Sequence, residues 1–435
     1  MDIDKKKILL IYKAKNFIAK LQKNHFNTFD NTFCYFCPHS KLPGYALLKY
    51  WDSFYKNIFL IVEIILINFL STFYYRNYEI KKNKNFYLLR YKNIIVTWGN
   101  KKCFSNDGSY HDKYFNINSR KEKNILWFII FQNNHLPKKI DNNCVIFYLK
   151  NKKISLKRIF YNLINIIFKK KFYYYCSALT DYSHSVFKDL KNFLNNNIKT
   201  ILMPYEGQPF QNTIFKISKL YYPKIKNIGY IHSVPIGLPT NLIYRDGSPD
   251  KLIVNGRDLL NNFTKYLGWN KKKIKVLNSS RFSKYKMMNG IIFLPYYLND
   301  TNNIFLILKK LFKKKLYKNF NELVVKNHPE KLESFQHKKI IKKINTILIK
   351  NKNKNKNKYS IFFGATASVI EALERGVKVI HISFDPVFEI YSNKLWPNVE
   401  IKKLDEYVFE YSLKKKYQLI QFNKNKNILK QYLKV

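Results

Sequence analysis

The sequence predicts an α/β protein in which two consecutive parallel-sheet domains follow a helical N-terminal region. Beyond residue 90, short runs of apolar, β-branched or aromatic residues recur and end in glycine, proline or polar residues, as buried parallel strands do. Segments of helical length separate these runs, and this alternation indicates parallel sheets. The 435 residues, 46% of them apolar and 17% aromatic, are enough to bury two cores.

The N-terminal region, residues 1–90, is predicted to be helical because no strand alternation is visible there. Its segment Ile58–Tyr75 is almost continuously apolar but contains Glu63 and Asn68. A spanning helix needs about 20 apolar residues, and a carboxylate at mid-membrane is costly. Three alternatives stay open: a membrane-spanning helix, a helix lying in or on the membrane, and a helix packed on the next domain. No signal peptide is expected, since Asp2 and Asp4 precede the first lysines.

The first α/β domain is predicted at residues 91–240. Its strands are expected at Ile94–Trp98, Leu126–Phe131, Val145–Leu149, Ile201–Met203 and Ile228–His232, and its helices at Ile154–Lys170 and Ser183–Asn195. Pro235, Gly237 and Pro239 then interrupt the pattern and indicate a hinge between the two domains.

The second domain is predicted at residues 241–415, and residues 416–435 are expected to form a C-terminal helix. Its strands are expected at Leu252–Val254, Ile274–Leu277, Ile291–Leu294, Leu323–Lys326, Ser360–Phe363 and Val377–Ile382, and its helices at Ile304–Leu316 and Ser368–Arg375. Leu404–Leu413 and Ile428–Val435 are also predicted to be helical.

The net charge of +51 comes mostly from lysine, because only 8 of the 79 basic residues are arginine. Asn, Ile, Phe and Tyr are abundant too, so biased codon usage explains most of the basicity. A nucleic-acid surface would favour arginine, whose planar fork pairs with phosphate. We therefore expect no nucleic-acid partner, and assign the remaining charge to an anionic membrane surface.

Five cysteines in a chain of this length argue against a disulfide scaffold and for a reducing compartment. Cys34 and Cys37 have the spacing of a metal-binding pair, but beyond His39 no further residues complete a zinc site. We therefore expect neither a metal nor a cofactor.

A phosphate site is predicted where the strand Glu322–Lys326 ends in Asn327, His328 and Pro329. The imidazole of His328 would lie at the carboxyl end of a parallel strand, where open α/β sheets bind ligands. Lys326 and Asn327 would add donors. The alternative is a histidine that only hydrogen-bonds to the backbone.

The next strand, Tyr359–Phe363, would bring a second element to this phosphate. Gly364 permits a sharp turn, and Thr366 and Ser368 then open a helix whose free N–H groups attract an anion. We expect the two strands to be adjacent, so that one imidazole and two hydroxyls meet the same phosphate. Alternatively, Ser368 and Glu371 form a helix capping box, although Glu371 is also a candidate donor-binding residue.

Glu206 is the candidate base of the first domain, and the alternative is an ordinary exposed glutamate in a loop. Glu206 follows a strand and would face the second domain, where it could take a proton from an acceptor hydroxyl. His232 ends the last strand before the hinge, with a role left open. Asp107 and Asp112, in the loop after the first strand, are candidate acceptor-binding residues, although a turn at Asp107-Gly108 explains this loop equally well.

Three of these motifs, in their order along the chain, resemble a known family. Glu206-Gly207, His328-Pro329 and the hydroxyls of Thr366 and Ser368 are similar to the acidic-Gly, His-Pro and Ser/Thr motifs of bacterial polysialyltransferases and related surface-carbohydrate glycosyltransferases of the GT-B type. The resemblance covers about residues 91–415. It implies a GT-B-like pair of Rossmann-type domains.

The resemblance also implies a chemistry. An inverting, metal-independent enzyme would transfer an acidic sugar, sialic acid-like or Kdo-like, from a CMP-activated donor to a surface glycan or lipid-linked acceptor. Glu206 would be the base, while His328, Thr366 and Ser368 would hold the donor phosphate and His328 could protonate it. The enzyme would be cytoplasmic and peripheral at the inner face of the membrane. Alternatives are a CDP-glycerol-type glycerophosphotransferase, a basic nucleic-acid-binding module and a non-catalytic membrane-associated scaffold.

Overall fold

The computed structural model describes residues 2–23, 32–38, 40–132, 135–168, 178–282, 287, 289–295, 301–313, 323–328, 331, 334–350, 359–422 and 428–435. The chain forms two compact units. The larger unit contains Ile8–His232, Pro239–Ser283 and Gln421–Val435, and the smaller unit contains Met1–Lys7, Ser233–Leu238 and Lys284–Ile420. Each unit contains a mainly parallel sheet with helices, so the predicted α/β class is confirmed.

The larger unit is built on a sheet with the strand order β1-β6-β5-β2-β7-β8-β9-β10 among the described residues. These strands are β1 Tyr74–Lys82, β2 Asn93–Gly99, β5 Ile125–Phe131, β6 Cys144–Ile154, β7 Thr200–Pro204, β8 Lys226–Tyr230, β9 Lys251–Val254 and β10 Ile274–Val276, with a separate hairpin of β3 His111–Asp112 and β4 Ile117–Asn118. β1 pairs antiparallel with β6, and the other neighbours pair in parallel.

Helices cover this sheet because its central strands are apolar on both faces. All seven residues of β5 are buried, as expected for a strand inside a parallel sheet. The helices assigned mainly to this unit are Ile3–Lys23, Pro43–Asp52, Phe54–Leu70, Leu156–Ile167, Ala178–Lys191, Pro209–Tyr221, Arg257–Lys265 and Ile428–Leu433. The last of these carries Tyr432 into the core that contains Trp127.

The smaller unit is built on a sheet with the strand order β12-β11-β13-β14-β16-β15 among the described residues. These strands are β11 Ile291–Phe293, β12 Val324–Lys326, β13 Tyr359–Phe363, β14 Lys378–Ile382, β15 Val399–Asp405 and β16 Val408–Leu413. Its helices are Thr301–Lys313, Phe335–Lys350, Ser368–Glu374 and Pro386–Glu389. Ile292, Ile361 and Ile380 stand side by side on three neighbouring strands and are fully buried, so they centre the core.

Three elements differ from the sequence prediction. β9 and β10 pair with β8 in the first sheet, so the predicted boundary at residue 240 divides a continuous sheet. The glycines and prolines at 235–239 accompany a short excursion, residues 233–238, after which the chain returns to the larger unit. β1 adds a strand to the region predicted to be helical, because its backbone pairs with β6. Leu404–Leu413, predicted to be a helix, lies in the β15-β16 hairpin that extends β14.

Candidate functional site

Glu206 lies just beyond β7, at the carboxyl edge of the larger sheet. Gly207 has a φ of +69°, and a Cβ there would lie 2.1 Å from the carbonyl oxygen of Asn241. The guanidinium of Arg245 donates to the carbonyl oxygens of Gly207 at 2.6 Å and Asn241 at 3.1 Å. The sharp turn therefore requires glycine, and Arg245 fixes the turn in place.

Amide side chains hold the backbone on both sides of Glu206. Gln211, in the first turn of the helix Pro209–Tyr221, accepts from the N–H groups of Glu206 at 2.9 Å and Gln208 at 3.1 Å. Asn241 Nδ2 donates to the Glu206 carbonyl at 2.7 Å. The position of Glu206 is thus set by side chains that satisfy its own backbone.

The carboxylate of Glu206 is held on one side and open on the other. Gln208 Nε2 donates to Oε2 at 2.7 Å, and His232 Nε2 lies 3.6 Å from Oε1. The side chain remains 37% exposed to solvent. An oriented carboxylate that solvent can reach is suited to remove a proton from an incoming hydroxyl.

His232 is a buried, neutral neighbour of this carboxylate. Burial, together with the positive charge of Arg281, lowers the pKa of His232 well below its usual value. The Tyr114 ring packs edge-on against the imidazole at 4.7 Å. Nδ1 has no hydrogen-bond partner within the described residues. The structure therefore places His232 beside Glu206, whereas the sequence analysis left the role of His232 open.

A third part of this site comes from residues 32–37, which the sequence analysis did not associate with it. The Cys34 carbonyl accepts from Arg245, and the Phe36 carbonyl accepts from Thr240 Oγ1 at 2.6 Å. Burial raises the pKa of Tyr35 well above its usual value, with contributions from Cys37 and Glu206. No local signal could have indicated this role, because some 200 residues separate the partners in sequence.

The two candidate acceptor residues have other partners. Arg120 binds exposed Asp107 at 2.6 Å, and hydrogen bonds from Ser109 lower the pKa of this carboxyl. Asp112 is fully buried, and burial raises its pKa. It accepts from the backbone N–H of Tyr114 at 2.7 Å, so it anchors the turn whose ring meets His232. Asp112 thus supports the site from within the fold instead of facing an acceptor.

In the smaller unit, β12 and β13 are not adjacent as predicted, because β11 lies between them. Two strand spacings place the ends of β12 and β13 about 10 Å apart. His328 follows β12 on this edge; it is half-buried, and its N–H donates to Asn327 Oδ1 at 2.8 Å. Lys326 is exposed, and Pro329 lies outside the described residues. The order of strands depends on long-range pairing, which the local pattern does not encode.

The turn after β13 is held by a histidine that the sequence analysis missed. Gly364 has a φ of +64°, and its carbonyl accepts from His381 Nε2 at 2.7 Å. Burial lowers the pKa of His381 to about 4, so the ring is neutral. Since Nε2 must carry the proton to meet a carbonyl, Nδ1 accepts from the Tyr411 hydroxyl at 3.0 Å.

Thr366, and not Ser368, supports the start of the following helix. Thr366 Oγ1 accepts from the Ser368 N–H at 3.3 Å, and the N-cap residue is Ala367, which makes no side-chain cap. Glu371 instead pairs with Arg375 one turn later, at 3.1 Å. The alternative of a Ser368–Glu371 capping box is therefore wrong. The hydroxyls of Thr366 and Ser368 each keep a proton that can be donated to an anion. The helix that follows the turn is only seven residues long.

Glu389 is a second group beside this turn that sequence reasoning missed. Its Oε2 accepts from Ser383 Oγ at 2.7 Å, and its Oε1 lies 3.5 Å from where a Cβ of Gly364 would be. Burial raises the pKa of Glu389 to about 7, a value at which a carboxyl can give or take a proton. Open α/β sheets bind ligands at the carboxyl ends of their strands. Applied to β14, this rule would have pointed to Ser383–Asp385 and so toward Glu389.

Buried Lys7 lies close enough to Glu389 to feel its charge. Its ammonium donates to the carbonyls of Val387 and Ile390, both at 2.7 Å. Burial lowers the pKa of Lys7 to about 7, against the opposing charges of Asp385, Asp4 and Glu389. The Gly364 turn therefore adjoins a buried group of ionisable side chains within the smaller unit.

A comparison with protein-family models found no model that matches this chain, and a comparison with curated proteins found no relative. The geometry and the sequence motifs thus carry the functional argument.

One further cavity, of about 680 Å³, lies at the amino edge of the larger sheet, away from Glu206. Eight Lys or Arg side chains and two Asp line it: Lys81, Lys82, Lys84, Arg90, Arg120, Lys123, Lys138, Lys139, Asp107 and Asp141. Its lining within the described residues contains no aromatic ring, whereas single-stranded nucleic acids bind through aromatic stacking. The cavity therefore suits a compact anion better than a nucleic acid.

Among the described residues, no group of three or more His, Cys, Asp or Glu side chains converges. Cys34 and Cys37 are both buried in the chain segment 32–37, and His39 lies outside the described residues.

Proposed function

We propose that the chain is an inverting, metal-independent glycosyltransferase that moves an acidic sugar from a CMP-activated donor to a surface glycan or lipid-linked acceptor. The observation that carries the proposal is the Glu206 carboxylate, oriented by Gln208 and still accessible to solvent at the carboxyl end of β7. This is the place and the residue type that an acceptor hydroxyl requires. The GT-B arrangement belongs to the same proposal.

In this mechanism Glu206 takes the proton of the acceptor hydroxyl as that oxygen attacks the anomeric carbon. The new C–O bond forms on the face opposite the donor phosphate, so the configuration inverts. The bond between the anomeric carbon and phosphate breaks, and CMP departs with the electron pair.

The smaller unit would bind the donor phosphate. His328, at the end of β12, and the hydroxyls of Thr366 and Ser368 are the proposed donors to it. Donors aimed at the departing phosphate stabilise the charge that develops there. The resemblance of these motifs to CMP-sugar-dependent transferases supports the assignment.

A CDP-glycerol-type glycerophosphotransferase would use the same hydroxyl base and phosphate donors, and it remains the second candidate. The attack would then fall on phosphorus, and CMP would again depart. Donor selectivity distinguishes the two functions. A non-catalytic scaffold is less well supported. The hydrogen bonds of Glu206 with Gln211 and Gln208 orient a carboxylate that a scaffold has no need to position.

Binding of CMP-activated acidic sugars and of CDP-glycerol to the purified chain, followed by calorimetry and product analysis, tests the proposal. Glu206→Gln should lower turnover by about 100-fold to 10,000-fold, the usual contribution of a general base, with donor affinity nearly unchanged. Glu406→Gln, at an exposed carboxylate elsewhere, is the matched control.

The phosphate assignment has its own test. His328→Ala should weaken CMP binding and turnover together, and Thr366→Ala should weaken CMP binding. Unchanged CMP affinity in both variants would remove the phosphate site. Near-wild-type turnover of Glu206→Gln would remove Glu206 as the base and leave His232 as the nearest replacement.

A further inference from the structure

The helix Phe54–Leu70 turns most of its apolar side chains to solvent. Phe59 is 87% exposed and Val62 60%, while Ile64 and Asn68 are the buried residues within this fully described helix. A helix on the surface of a soluble protein buries its apolar stripe and exposes its polar one. The mostly exposed state differs from the alternative in which this segment packs on the next domain.

The helix Leu156–Ile167 has the same inverted arrangement. Its buried residues are Asn162 and Asn165, whereas Leu156 is 80% exposed and Phe160 69%. Asn165 Nδ2 donates to the Tyr161 carbonyl of its own helix at 2.7 Å. Two helices that place amides inward and large apolar side chains outward are suited to an apolar environment.

These two helices adjoin at one corner of the larger sheet. Residues Tyr74 and Ile154, one shortly after the first helix and the other just before the second, are partners in the β1-β6 ladder. Arg158 Nε of the second helix donates to the Thr72 carbonyl at 3.0 Å. We call the exposed apolar side chains of these two helices the apolar platform. An ordinary soluble surface exposes large apolar side chains singly, whereas each of these two helices exposes several.

The charges around the platform indicate its partner. Lys56, Lys152, Lys153 and Lys157 are exposed on or beside these helices. The helix Leu156–Ile167 contains no acidic residue, and Glu63 is the sole one in the first helix. Exposed apolar side chains flanked by lysine are the combination that binds an anionic lipid surface.

We propose that the apolar platform lies in the interface of an anionic bilayer and attaches the larger unit to it without spanning the membrane. Of the described helices, Phe54–Leu70 with its continuation to Phe73 is the one long and apolar enough to cross. Its exposed Glu63 would then enter the hydrocarbon, at a high cost. In the interface, that carboxylate can reach water. This inference holds whether or not the chain transfers a sugar.

Flotation of the full chain with vesicles of phosphatidylcholine, with and without phosphatidylglycerol, tests the platform. Phe59→Ser and Phe160→Ser should each lower the partition coefficient by about tenfold, since burying one large apolar side chain contributes at least that factor. Phe335→Ser, at a side chain that is 82% exposed in the smaller unit, should change nothing. Because these side chains are exposed, the circular dichroism of all three variants should match the wild type.

The salt dependence of binding tests the role of the lysines, and the depth of tryptophan quenching distinguishes an interfacial placement from a spanning one. Binding to the phosphatidylglycerol vesicles should weaken as salt rises. Tryptophan placed at Phe59 or Phe160 should be quenched most by lipids brominated near the headgroup. Strongest quenching from the bilayer centre would overturn the interfacial placement. Glu63→Leu should strengthen binding to the phosphatidylglycerol vesicles, because it removes the one acidic side chain of the two helices from beside an anionic surface.

A second copy of the chain is the competing occupant. If Phe160→Ser converts a dimer to a monomer in light scattering but leaves vesicle binding unchanged, the platform is a dimer interface and the proposal fails. Equal flotation of Phe59→Ser, Phe160→Ser and wild type would overturn it as well.

Discussion

Replacing Asp112 with alanine should destabilise the larger unit, whereas asparagine should be tolerated. Asp112 Oδ1 accepts from the N–H groups of Tyr114 at 2.7 Å and Phe115 at 2.8 Å. Oδ2 accepts from Thr97 Oγ1 at 2.6 Å and from the Tyr110 hydroxyl at 3.0 Å. This fully buried carboxyl therefore satisfies four donors at once.

The expected loss in the free energy of unfolding depends on which donors lose their partner. The Tyr110 hydroxyl can turn to the Trp98 carbonyl, 3.2 Å away, whereas the N–H groups of Tyr114 and Phe115 are fixed by the backbone and lose the acceptor that Asp112 provides. Each unsatisfied buried donor costs about 1–3 kcal/mol, so Asp112→Ala should lower the free energy of unfolding by about 2–6 kcal/mol. Asp112→Asn keeps one carbonyl oxygen for both N–H groups, and its amide can donate to either hydroxyl. Its cost should be about 1 kcal/mol.

Urea unfolding followed by tryptophan fluorescence measures the free energy of unfolding of the larger unit. This unit contains four of the five tryptophans in the sequence: Trp51, Trp98, Trp127 and Trp269. Burial raises the folded-state pKa of Asp112 above its unfolded value. The stabilisation from the protonated carboxyl is therefore complete below the unfolded pKa and is lost as pH rises through the folded one. The advantage of wild type over Asp112→Asn should decline over that range.

A loss below about 1 kcal/mol for Asp112→Ala would refute the reasoning, since it would mean that the N–H groups find water or other acceptors. The asparagine variant also tests the sequence-based role in acceptor binding. Near-wild-type acceptor affinity in Asp112→Asn agrees with an anchoring role, whereas a large loss of affinity in a stable protein would restore Asp112 to the acceptor site.

Two further substitutions probe the turns at the two candidate sites. Glu389→Gln removes a carboxyl whose pKa is raised from 4.5 to about 7, so the stability advantage of wild type should be complete below about pH 4.5 and fall by up to about 3 kcal/mol as pH rises through 7. If the free energies of unfolding of the two proteins, measured in urea, change with pH in parallel, the pKa of Glu389 is not raised. Gly207→Ala should cost more than Gly268→Ala, because both glycines have positive φ but only the first would bring a Cβ to 2.1 Å from Asn241 O. Positive φ alone costs about 1–3 kcal/mol, so equal melting temperatures for the two variants would show that the close approach is relieved at no cost.

Much of the secondary structure is a local property of this chain and could be predicted from it. The all-apolar run at residues 125–131 indicates a strand buried on both faces, and it forms β5 in the middle of the larger sheet. The same rule located β7 and β13, and with them Glu206 and Gly364 at strand ends. Burial of apolar side chains at a fixed period leaves a mark within a few residues, which is why such segments can be recognised one at a time.

Strand order and the surroundings of each side chain depend on contacts that are distant in sequence. Only the tertiary structure shows that β11 separates β12 from β13, and that β9 and β10 complete the first sheet. It also places Cys34 against Arg245, His232 beside Glu206, and Glu389 beside the Gly364 turn.

The helix Leu156–Ile167 separates the two kinds of information most clearly. The sequence determined that it is an amphipathic helix, since its apolar residues recur at helical spacing. Which of its two faces meets the protein was decided by the tertiary structure, where Asn162 and Asn165 point inward and Phe160 points outward. Periodicity defines two faces but does not assign them a solvent, because that assignment depends on what the rest of the chain packs against each face.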